Sequence, residues 1–210
     1  KIHLIQNKAL ELSLFLTLPA SAALLIASEE IISALFGYGS FDQVSAINSG
    51  KALYYFALGL PAFSLIKVFS SFFFANHDTK IPFYISLFSV LTNIVISISY
   101  FNEIGFIIIP IATTISSWLN AILLFTFLKN RDLFSFNNIF LVRFVKIIIA
   151  SLLMAIFFNF LITYFKYELA FNQNIKSFYL ILSVILSLLF YLLVSYWIKA
   201  FKTSDIKLKY

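Results

Sequence analysis

The sequence contains no cysteine and only two histidines, His3 and His77. The first absence excludes disulfides, thiolate metal sites and cysteine nucleophiles. The second leaves little imidazole for acid–base or metal chemistry. Charge is scarce as well. Only 11% of the 210 residues are Asp, Glu, Lys or Arg, against about 25% in an ordinary soluble domain. Glycine and proline number five and four, so long stretches run without a break. No carboxylates pair within the apolar stretches, and neither a nucleophile elbow nor a His-Glu-x-x-His motif occurs. Glu29 and Glu30 fall at a helix end and read as interface residues. The sequence therefore predicts no catalytic residue, no metal and no cofactor, and transport or structural work in place of an enzyme.

What the chain has in abundance is apolar surface. It is 61% hydrophobic and 19% aromatic, with 27 phenylalanines, and its mean hydropathy is +0.97. Roughly 20 apolar residues make a helix that crosses the hydrocarbon of a bilayer. Such stretches are predicted at about 11–35, 46–76, 82–101, 105–128, 140–165 and 177–200, joined by short polar segments. Nothing between them is large enough for a soluble domain. The expectation is an all-α membrane protein, a six-transmembrane-helix bundle forming one membrane domain over 1–210.

The net charge of +6 does not mark a nucleic-acid binder, because the basic residues form no single patch. They collect in the joints. Six spans put Lys1, Lys8, Lys80, Lys129, Arg131, Arg143, Lys146, Lys199, Lys202, Lys207 and Lys209 on one side. Lys51, Lys166 and Lys176 fall on the other. The positive-inside bias then places both ends in the cytoplasm. The last residues, KAFKTSDIKLKY, form a basic tail suited to anionic lipid. The chain opens on Lys1 at the edge of a helix, and this predicts the C-terminal part of a longer protein.

Several residues interrupt the apolar pattern. Pro19, in LTLPASAALL, removes a helix hydrogen bond and predicts a bend beside a small-residue packing face. Gly37 and Gly39, in LFGYGSFD, predict a structured turn with positive φ, and Asp42 a cap for the next helix. The stretch 46–76 holds roughly thirty residues, about 45 Å of helix, against a hydrocarbon core of about 30 Å. It must tilt or bend, and Gly59 and Pro61 supply the bend. Lys67 lies inside this helix, roughly 14 Å from the loop at His77. A cation at that depth costs a few kcal/mol and is expected to face a wet cavity or a partner, with snorkelling to the interface as the alternative. In the joint NHDTKIP, Asp78 or Thr79 caps the following helix and Pro82 fits its first turn. Asn93, Thr113, Thr114, Ser116, Ser117 and Asn120 form a small polar face for interhelical bonds, and Pro110 predicts another break.

Gly39 to Phe41, Gly59-Leu60, Lys67-Val68 and the run Phe74-Ala75-Asn76-His77-Asp78-Thr79-Lys80-Ile81-Pro82 together resemble the MurJ (MviN) family of lipid II flippases. That family shows a glycine-rich turn ending Gly-x-Phe, then a helix with Gly-Leu and Lys-Val, then an aromatic-Ala-x-x-Asp-Thr-x-x-Pro joint. The resemblance implies a MOP-superfamily fold of fourteen helices in two lobes, of which this chain corresponds to the C-terminal lobe's last six. It implies alternating-access transport of the lipid-linked peptidoglycan precursor, lipid II, across the bacterial cytoplasmic (inner) membrane. The implied partners are lipid II or a similar polyprenyl-pyrophosphate saccharide, membrane lipids and the missing N-terminal lobe. Lys67 takes the place of a cavity cation, Pro19, Gly59 and Pro61 of hinges, and Gly37, Gly39, Asp78, Thr79 and Pro82 of structural turns. The last two helices take the place of a groove for the lipid tail. Competing readings are a flippase for another polyprenyl-linked saccharide on the same fold, and a membrane scaffold that transports nothing.

Overall fold

The computed structural model describes residues 2–200. Lys202, Lys207, Lys209 and most of the basic tail lie outside the described residues, as does Lys1. The described residues are overwhelmingly helical and contain no strand. Seven helices follow in order: α1 (Ile2–Ile26), α2 (Ser28–Phe36), α3 (Gln43–Ala75), α4 (Lys80–Ile104), α5 (Ile108–Asn130), α6 (Asn138–Tyr164) and α7 (Lys176–Trp197). All but α2 have 22 residues or more. Each of these six has the length and apolarity to cross a membrane, with α4 and α5 lying in one apolar stretch, Lys80–Asn130.

The predicted first span, 11–35, is not one helix. The helix begins nine residues earlier than expected and breaks at Ala27, whose φ of −123° and ψ of 33° leave the helical region. The nine-residue α2 follows. Its carboxylates Glu29 and Glu30 fall in its first turn, where they complement the helix dipole. Pro110 does not interrupt α5. It is the third residue of that helix, where its missing N–H would have no intrahelical partner. The break between α4 and α5 is made at Gly105, whose φ is +74°, followed by a 3₁₀ turn over Gly105–Ile107. Pro19 and Pro61 both lie within continuous helices.

The chain groups into two compact units. The first comprises the residues up to Thr17 together with Ala52–Asn137. Its core is built from Leu10, Leu14, Ile108, Leu124, Leu128 and Phe73, with Ala57, Ala62, Ala112 and Ala121 buried between them. Small residues let helices approach closely in lipid, where association depends on packing and not on the hydrophobic effect. Phe69, Phe72, Phe125, Phe134 and Phe136 close one end of this unit, with ring centroids 5.0–6.4 Å apart. The second unit comprises Leu18–Lys51 and the residues from Asn138 onward. There α6 and α7 pack along Phe158, Ile147, Ala150, Leu180 and Tyr191, and Phe157 stacks on Phe190 at 4.5 Å.

Candidate functional site

Lys67 is exposed on α3, in the first unit. It makes no ion pair or hydrogen bond among the described residues. Its neighbour Ile66 lines a cavity of about 290 Å³, with Ser86, Ser89, Val90 and Asn93 of α4 and Thr113, Ser116, Ser117 and Asn120 of α5. Lys67 is not part of that lining. The polar face expected on α4 and α5 therefore surrounds a space, and it does so without any charged group.

The protons around this cavity are largely committed. Ser89 donates to Ile85 O at 2.9 Å, Thr113 to Ile109 O at 2.8 Å, and Ser116 and Ser117 to Thr113 O at 3.0 and 2.6 Å. Each of these hydroxyls faces its own helix with the hydrogen, leaving lone pairs outward. Asn93 Nδ2 bridges α4 to α5 through Thr113 Oγ1 at 3.0 Å and Ser116 Oγ at 3.3 Å. Asn120 Nδ2 reaches Ser86 Oγ at 3.5 Å, and its Oδ1 is buried with no partner. The lining is uncharged and rich in acceptors, and a buried carbonyl oxygen left without a donor costs about 1–3 kcal/mol.

The part of α3 that leads into Pro61 sits against α5. Thr114 Oγ1 donates to Tyr55 O at 2.6 Å, and Trp118 Nε1 to Leu58 O at 3.0 Å. These donors tie α5 to the α3 backbone one turn before Pro61; the carbonyl that Pro61 itself leaves without a helical donor is a different one, that of Ala57. Gly59 has a packing reason as well as a conformational one. A Cβ there would stand 3.0 Å from Thr114 Oγ1 and from the Phe63 ring, so these side chains would have to give way by a few tenths of an ångström.

Of the two turns, one follows the expectation and the other departs from it in one detail. In the α3–α4 joint it is Asp78 that caps, with Oδ1 accepting from the N–H groups of Lys80 and Ile81 at 3.1 and 3.2 Å. Thr79 makes no capping side-chain bond. Asp78 Oδ2 also accepts from Arg131 at 2.8 Å, tying the start of α4 to the end of α5. Pro82 is buried in the first turn of α4, and the solvated His77 takes a φ of 58°. In the α2–α3 turn Gly39 has φ +61°, but Gly37 has φ −72°. Gly37 is needed for space, since a Cβ would lie 2.5 Å from Ser33 O and 3.0 Å from Lys176 Nζ. Asp42 caps α3, accepting from Ser45 N–H at 2.8 Å. The Ser45 hydroxyl and N–H hold its carboxyl below the usual carboxylate value.

Three polar side chains that sequence reasoning passed over are structural anchors. Gln6 donates to Leu133 O at 3.0 Å and Asn7 to Ser135 O at 2.8 Å, while Asn137 N–H returns to Asn7 Oδ1 at 3.2 Å. They stitch the start of α1 to the α5–α6 joint. Their signal was available, as two amides in an apolar helix, but only the partner backbone reveals the role. The third, Lys176, was assigned to a solvated joint and is instead 1% exposed.

A family model described as Lipid II flippase MurJ matches residues 1–185. The chain belongs to the MurJ family. It is 40% identical over 151 residues to a Rhizobium meliloti protein named "Probable lipid II flippase MurJ", covering 72% of this chain and 28% of that one. It is 28% identical over 189 residues to the Thermosipho africanus "Lipid II flippase MurJ", covering 90% and 36%. Among solved structures, "Lipid II flippase MurJ, inward closed conformation" superimposes with a TM-score of 0.75 at 27% identity, over 93% of this chain and 38% of that chain. The chain thus spans between about a quarter and two fifths of the length of these MurJ relatives. The MurJ fold accounts for the long apolar helices, and MurJ proteins are named as transporters.

Proposed function

We propose that this chain acts, with the rest of a protein as long as its relatives, in moving lipid II across the bacterial cytoplasmic membrane by alternating access, without catalysing a chemical reaction. The observation that carries this reading is the shared fold with a lipid II flippase over 93% of the chain. The substrate carries an anionic pyrophosphate head and a polyprenyl tail. Lys67, exposed on a membrane helix with no partner in its own unit, supplies a cation to a cavity completed by other helices. Pro19, Gly59 and Pro61 supply points at which helices bend as access alternates. Gly37, Gly39, Asp78, Thr79 and Pro82 hold the turns. The exposed Leu, Ile and Phe side chains of α6 and α7 offer the tail an apolar surface. The excess of lysine and arginine in alternate joints places both ends of the chain in the cytoplasm, with 1–210 as one membrane domain.

The test is complementation. The full-length parent gene is expressed in bacteria depleted of their own lipid II flippase. Survival is the expected result, and Lys67→Ala is expected to abolish it at unchanged membrane abundance. Failure of the parent, with the protein present in the membrane, would move the substrate to another polyprenyl-linked saccharide. Full rescue by Lys67→Ala would remove the lysine from the mechanism.

A further inference from the structure

Lys176 is the first residue of α7 and is buried in the second unit. Its ammonium donates to Gly37 O at 2.7 Å and to Phe171 O at 2.6 Å. The rings of Tyr38 and Phe171 face it at 4.6 and 4.5 Å, inside the range of a cation–π contact. No carboxylate pairs with it among the described residues. Two carbonyls and two ring faces therefore replace water around the ammonium, and the carbonyls take two of its three donors. With Lys176 1% exposed, this ammonium is closed off from any ligand at the surface.

The surroundings are shaped for this cation. Gly37 leaves room that a Cβ would take, 3.0 Å from Nζ and 2.8 Å from the Phe171 ring. The next residue, Ser177, donates to Ala34 O of α2 and stands 2.7 Å from Tyr38 Oη. With the serine proton committed to the carbonyl, the tyrosine hydroxyl is the donor in that pair. Tyr38 is thus held at both ends, its ring on Lys176 and its hydroxyl on Ser177. The contacts join three segments that are distant in sequence: α2 with its following turn, the joint after α6, and the first turn of α7.

We propose that Lys176 is a permanent clamp. It fastens the α2–α3 turn to the α6–α7 joint, so that α2, the turn and the start of α7 move as one body while the protein transports. An apolar residue would fill the same space at lower desolvation cost, but it would not select these two carbonyls over any other apolar packing. The charge specifies one arrangement of the three segments. That the body moves during transport rests on the proposed flippase activity, whereas the clamp itself does not.

The experiment uses the full-length parent. A cysteine is placed at Leu169, a buried position in the α6–α7 joint, and its reaction with a hydrophilic maleimide is timed with Lys176 or with Lys176→Met. The substitution is expected to speed labelling about tenfold by opening the joint. Unchanged labelling would overturn the clamp. A second arm keeps Lys176 and its two carbonyl bonds and gives up the Tyr38 ring and the Ser177 hydroxyl, with the covalent bridge in place of their contact. Tyr38→Cys and Ser177→Cys are bridged by a short bismaleimide, and lipid-linked precursor reaching the outer leaflet is measured before and after bridging. Retained translocation is expected. Loss on bridging, from a double variant active beforehand, would mean that the clamp opens in the cycle and would overturn its permanence. If the parent translocates nothing, the flippase reading fails while the labelling arm still decides the clamp.

Discussion

At the scale of residues, magnitudes separate contacts that look alike. Asp78 makes both a cap and an ion pair, but the pair is surface-exposed, with Arg131 51% and Asp78 21% accessible. Exposed pairs contribute about 0–1 kcal/mol, whereas losing a cap costs about 0.5–2 kcal/mol. Asp78→Ala is therefore expected to lower stability in detergent by about 1 kcal/mol, and Arg131→Ala by clearly less. Equal losses in thermal unfolding would transfer the role from cap to ion pair. Asn93→Leu is expected to cost about 0.5–1 kcal/mol, the usual worth of interhelical polar bonds in membranes, because Thr113 and Ser116 lose their link to α4. Glu30, in α2, has its carboxyl raised above the ordinary 4.5 chiefly by burial, with Glu29 adding to the effect and Lys166 opposing it. The sign follows from linkage: a raised carboxylate favours the protonated folded state, so its charge opposes folding as pH climbs through the folded value. Glu30→Gln should thus raise thermal stability at neutral pH, and the gain should vanish below about pH 4.5. A gain that persists at pH 4 would exclude the carboxylate charge as its cause.

At the scale of elements, the long α3 is a continuous helix with a proline inside it. Pro61 takes the helical donor from the Ala57 carbonyl, and Thr114 and Trp118 on α5 donate to the neighbouring carbonyls of Tyr55 and Leu58. Gly59 lets that neighbour come close enough to do so. Gly59→Val is expected to push α5 away and cost about 1–3 kcal/mol, as overpacking does, with loss of Trp118 fluorescence characteristics in a tryptophan-reporter version of the parent. Pro61→Ala is expected to keep the fold and slow transport, since it stiffens α3 without crowding it. A variant with unaltered transport would leave Pro61 as a packing residue. The α1–α2 break carries the opposite lesson. Ala27 is neither glycine nor proline, and its departure from helical backbone has no local marker in the sequence.

At the scale of the whole molecule, much of the architecture was legible before any coordinates. A bilayer demands about 20 apolar residues per crossing and full backbone satisfaction within each helix. That constraint acts on composition alone, so the long helices and their short joints could be read from hydropathy. The caps at Asp42 and Asp78 were readable for a similar reason, since a cap acts over two or three residues. The family too was written in local motifs, from Gly39 to Pro82. What composition left open was every property that depends on a distant partner. Gly37 reads as a positive-φ turn residue until Lys176, 139 positions away, is placed beside its carbonyl. Lys176 itself reads as a loop cation until the rings of Tyr38 and Phe171 close over it. The hydroxyls and amides of α4 and α5 read as bonding groups, and only their packing showed that they line a cleft and leave one oxygen of Asn120 unpartnered. Sequence by itself determined the solvent, the helices and the family, because these follow from local polarity and short-range spacing. Tertiary structure alone decided which charge is buried and which glycine is needed for space, because desolvation and close approach depend on what the rest of the chain brings within a few ångströms.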